Sequence, residues 1–130
     1  MALTTDLTGL GIAPALAGRL GHASTLALAG IGTAQAGAAP IGTTVTIGSP
    51  TAGNTAYTLP SGAVPMLKEW YFFNAAVGAT TALIYPPTGG ATLNGSTSAA
   101  ISVAQNKGAM FMLVANSGGT APQWVTLAGA

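Results

Sequence analysis

The chain has 130 residues, 49% of them hydrophobic, yet only 4% are charged and the formal net charge is +1; a typical soluble domain is about a quarter charged. Its three cations, Arg19, Lys68 and Lys107, cannot supply the clustered positive charge that phosphate binding needs, so nucleic acid is not expected as a partner. With two carboxylates, one histidine and no cysteine, no acid–base pair, metal site or disulfide framework is expected, and the chain reads as a non-enzyme without a cofactor.

Residues 1–42 differ in character from the rest. In residues 1–21, Pro14 suits the first turn of a helix, Gly21 suits its C-terminal cap, and Arg19 falls in the last turn, where a cation is favoured. Ile12, Leu16 and Leu20 then form one apolar stripe at four-residue spacing. So short a helix is marginal alone in water and needs a surface to lie on. His22 reads as a polar residue after that cap. Residues 22–42 are uncharged and rich in Ala and Gly, and they read as an extended arm in which Leu26, Leu28 and Ile31 could add to a strand on a partner. The apolar stretch 23–41 is broken by Gly30, Gly32, Gln35, Gly37 and Pro40, so it does not read as a membrane span. Residues 1–10 carry Asp6 and no basic residue, unlike a signal peptide. The expectation is a soluble chain made in the cytoplasm.

From Thr43 onward the pattern is of strands between turns. The expected strands are 43–47, 56–59, 66–74, 81–85, 99–103, 109–115 and 123–127, separated by turn sequences such as SPTAGN, PTGG, Asn94-Gly95 and QNKG. All eight aromatic residues, Tyr57, Trp70, Tyr71, Phe72, Phe73, Tyr85, Phe111 and Trp124, lie at or beyond position 57. The expected fold is all-β: a small antiparallel β-sandwich or barrel over 43–130, preceded by an extended arm over 1–42 with one short helix. Residues 66–74 carry large side chains on both faces. Lys68, Trp70 and Phe72 share one face, and Leu67, Tyr71 and Phe73 share the other. One small interior cannot bury both sets, so the face of Lys68, Trp70 and Phe72 is expected to meet another copy of the chain.

The segments TAYTLP, EWYFFN, IYPPTGGATLNG, SVAQNKGAMFML and QWVTL, in this order, resemble a small β domain recurrent in tailed-phage virion proteins. The matching positions are Leu59, Pro60, Asn74, Tyr85, Pro86, Gly89, Leu93, Asn94, Gly95, Gly108, Phe111 and Trp124, and the match covers about residues 55–127. The resemblance implies a virion surface module, often trimeric, made in the host cytoplasm and carried on heads, tail fibres or baseplates. The short chain and the separate N-terminal segment favour a decoration protein on the outer surface of the head. Leu7, Leu10, Ile12, Leu16, Arg19 and Leu20 would then contact the major capsid protein. The alternative is a tail-fibre or baseplate adhesin binding a host glycan, with Trp70, Tyr71 and Trp124 as the candidate stacking platforms.

Overall fold

A computed structural model describes residues 23–61, 64–115 and 121–128. Among them there is no helix, and ten strands form two sheets. The strands are β1 (Ser24–Ala29), β2 (Ala39–Pro40), β3 (Val45–Ser49), β4 (Ala56–Thr58), β5 (Glu69–Asn74), β6 (Ala82–Tyr85), β7 (Thr92–Leu93), β8 (Ile101–Val103), β9 (Gly108–Ala115) and β10 (Gln123–Ala128). The larger sheet has the order β1-β3-β5-β9-β10-β7 and the smaller the order β2-β4-β6-β8.

From β1 to β6 the chain alternates between the sheets, so each strand returns to its own sheet after crossing the other layer. It therefore re-enters from the same end and pairs in parallel: β1 with β3, β3 with β5, β2 with β4, and β4 with β6. The short β7 also lies parallel to β10. Only β6 with β8, β5 with β9, and β9 with β10 are antiparallel. The all-β sandwich thus agrees with the sequence expectation, but its antiparallel character holds for a minority of the pairings. Period-2 patterning reports which face a side chain takes, not which strand lies beside it or in what direction.

The expected arm boundary at residue 42 also needs correction. Residues 24–29 form the edge strand beside β3, and Ala39 and Pro40 pair with Tyr57 and Thr58. Ala38, Ala39 and Ile41 are buried with the core. Small residues fit here because the chain passes close to its neighbours: a Cβ at Gly30 would collide with the backbone of Asn54. Leu28 packs against the core, whereas Leu26 and Ile31 remain exposed. The helix expected within 1–21 lies outside the described residues.

Between the sheets, Tyr57, Leu59, Ile84 and Val103 meet Trp70, Phe72, Phe111, Leu113 and Trp124 in one cluster. Tyr57 and Phe72 pack edge to face at 4.9 Å between ring centroids, and Trp70 and Trp124 do so at 6.1 Å. Tyr57 is completely buried, and its hydroxyl donates to the Leu28 carbonyl at 3.0 Å, tying β1 to the core. Burial pushes the Tyr57 phenol up to about 12 from 10.0, although backbone groups of Ser49 and Gly30 favour its ionised form. The folded protein therefore keeps this proton where the unfolded chain has lost it. The resulting stabilisation is complete below pH 10 and is lost as the pH rises from 10 through 12. Urea midpoints measured across this range should fall, and the fall should be smaller in Tyr57→Phe; an equal fall in both would contradict the assignment.

Asn74 closes β5 and is completely buried. Its Nδ2 donates to the carbonyls of Thr80 and Val103, each at 2.8 Å, and its Oδ1 accepts from Ala76 N at 2.9 Å. One side chain thus links the large sheet to β8 of the small one and to the β5–β6 loop. Asn74→Leu would leave those carbonyls buried without their donor and should cost about 2–4 kcal/mol. A loss below about 1 kcal/mol in denaturant unfolding would mean that water or a shifted loop replaces the amide.

Candidate assembly interface

Side chains alternate strictly along β5. Trp70, Phe72 and Asn74 point into the sandwich, and Glu69, Tyr71 and Phe73 point out. The expectation that Lys68, Trp70 and Phe72 form an intermolecular face is therefore corrected: they are 8%, 8% and 2% exposed. Lys68 is buried just ahead of the strand, and desolvation lowers the pKa of its ammonium group. Trp70 and Trp124 pack against each other in the core, so of the three proposed stacking platforms only Tyr71 reaches the surface.

The opposite face of the large sheet carries the exposed apolar surface. Strand register aligns Val45, Tyr71, Met110 and Leu127 in one row across β3, β5, β9 and β10. A second row runs Ile47, Phe73, Gly108, and a third Glu69, Met112, Val125. Tyr71 and Phe73 are each 42% exposed and Leu127 67%. Gly108 has no side chain beside the Phe73 ring, and the gap opens into a groove of about 370 Å³ lined by Val45, Ile47, Tyr71, Phe73, Met110 and Leu127. The one carboxylate on these rows, Glu69, accepts from the Tyr71 hydroxyl at 2.8 Å, an interaction that raises the Tyr71 pKa. Chemically the face offers dispersion and apolar burial, and among the described residues no group of three or more metal-ligating side chains comes together.

Ala23 enters the large sheet at the rim of this groove. Its carbonyl accepts from Val45 N at 3.0 Å, and its N–H donates to Thr44 Oγ1 at 3.2 Å. Leu7, Leu10, Ile12, Leu16, Arg19 and Leu20, the expected capsid contacts, precede this point and lie outside the described residues. A second cleft of about 200 Å³ lies among Gln35, Pro40, Pro60 and Pro87. The Gln35 amide there donates to the carbonyls of Pro86 and Thr97, so it is already engaged in holding the loop.

The positions that carry the resemblance have local structural reasons. Asn94 and Gly95 both have positive φ (50° and 84°) in a two-residue turn closed by Leu93 and Ser96, and the Asn94 side chain accepts from Thr126 N. Gly89 has φ 98°, and Leu93, Phe111 and Trp124 are core. Comparison of the chain with protein-family models, with curated proteins and with solved structures finds no match in any of the three.

Proposed function

We propose that this protein is a non-catalytic structural component of a tailed-phage virion, a decoration (cement) protein that binds the outer surface of the head and stabilises it. The observation that carries the reading is the apolar outer face of the large sheet, on a chain with only five charged residues. Isolated domains seldom expose such a surface unless it is meant to be covered. The ordered turn-and-strand motifs that resemble phage virion modules supply the setting. In this reading the β-sandwich self-associates, with a trimer favoured. Residues 1–22, with Leu7, Leu10, Ile12, Leu16, Arg19 and Leu20, bind the major capsid protein. Several such segments on one oligomer act together, so a weak single contact becomes a lasting one. Co-sedimentation of the purified protein with undecorated heads tests the proposal. Saturable binding at a fixed ratio to the capsid protein supports it, and recovery of all the protein in the supernatant overturns it.

A further inference from the structure

We propose that the outer face of the six-stranded sheet is the surface on which copies of this chain meet, with Phe73 and Leu127 at the centre of the contact. The inference rests on the reading of the protein as a self-assembling structural component and identifies the surface that does the assembling. The partner is a second copy because the ridges of one copy's face can enter the gap on the next, a heterologous contact that repeats around a trimer. Sheet faces pack by interdigitating ridges and gaps, and this face has both: Tyr71, Phe73 and Leu127 stand out, while Gly108 leaves the groove beside Phe73. Its charge character agrees. Glu69, at one end of β5, carries the one charge on these rows and accepts from the Tyr71 hydroxyl, so a strongly charged partner would meet a mostly apolar surface, whereas a copy matches it apolar to apolar. Its size agrees as well. Four strands about 4.8 Å apart and five to eight residues long give a patch of order 400 Å² in plan. The relief of the exposed rings raises the accessible area towards the ~800 Å² per partner of a standard interface.

Sedimentation velocity of the full-length protein at micromolar concentration, with circular dichroism as the control for folding, tests this. Wild type should sediment as an oligomer. Phe73→Glu and Leu127→Glu, which change outward-facing side chains, should keep the β spectrum and weaken association at least a hundredfold. Phe73→Leu should retain association, and so should Val77→Glu, whose side chain is fully exposed on the β5–β6 loop. Three results would overturn the inference: a monomeric wild type, a Phe73→Glu variant that stays oligomeric, or a Val77→Glu variant that dissociates as readily. A monomeric wild type destabilised by Phe73→Glu would instead assign the face to the chain's own residues 1–22. None of these outcomes depends on capsid binding, so the decoration reading stands or falls separately in the head-sedimentation assay.

Discussion

Replacing Gly48 with Ala is expected to cost about 3 kcal/mol or more, an effect on the scale usually reserved for core truncations. Gly48 lies on β3 between Leu28 of β1 and Asn74 of β5, on the inward face. A Cβ there would stand 2.8 Å from Cε2 of Phe72 and closer still to Cζ. The ring cannot swing aside, because it is 2% exposed and packed edge to face on Tyr57. Either the ring leaves its place or β3 moves off β5, and both disturb the centre of the sandwich. Phe72→Ala alone should cost about 3–5 kcal/mol by leaving a cavity. The two changes share one space, so the double variant should be less destabilised than the sum of the singles by at least about 1 kcal/mol. Additive losses in urea unfolding would show that Gly48 and Phe72 are not in the predicted contact. At the 5–15 kcal/mol typical of a domain, either single change removes a large part of the total.

Replacing Leu16 and Leu20 together with Ser should abolish head binding while leaving the β-sandwich folded. The motive lies in the sequence periodicity: Ile12, Leu16 and Leu20 make a stripe that suits burial but is too short to sustain a free helix. Each buried Leu is worth about 1.5–3 kcal/mol, so each segment loses several kcal/mol, and the loss is multiplied across the segments of one oligomer. Arg19 should matter less, about 0.3–1 kcal/mol, if its role is only to favour a helix C-terminus. Full occupancy of heads by the double variant would move the attachment site onto the sandwich.

Seven of the ten strands were legible in the sequence because turn chemistry punctuates them, whereas β1, β2 and the two-residue β7 were not among those expected. Asn94-Gly95, Pro86-Pro87 and the QNKG turn bracket β6 to β9 within a residue or two of where the chain folds back. The pairing was not legible. A strand that crosses to the other sheet and one that turns back beside its predecessor carry the same alternation, so parallel and antiparallel neighbours look alike. The arm boundary was misplaced because residues 24–41 lack the bulky β-branched and aromatic residues that mark a strand. They join the fold through backbone pairing, small core side chains and the Tyr57 hydroxyl bond to Leu28. The facing of β5 was ambiguous for a specific reason. Lys68 shares parity with Trp70 and Phe72, and Glu69 with Tyr71 and Phe73, so a charge marked each face as outward. Asn74 added a polar residue on the inner side. The distinguishing cue was Gly48: a glycine inside a strand signals close approach by a neighbour, here the Phe72 ring.

The central claim, that this is a decoration protein of the phage head, is tested most directly by labelling intact virions with gold-conjugated antibody against the β-sandwich and imaging them by electron microscopy. The account predicts gold distributed over the head surface, lost when particles carry the Leu16→Ser, Leu20→Ser variant. Gold confined to tail tips or baseplates, or particles that bear none, would contradict it.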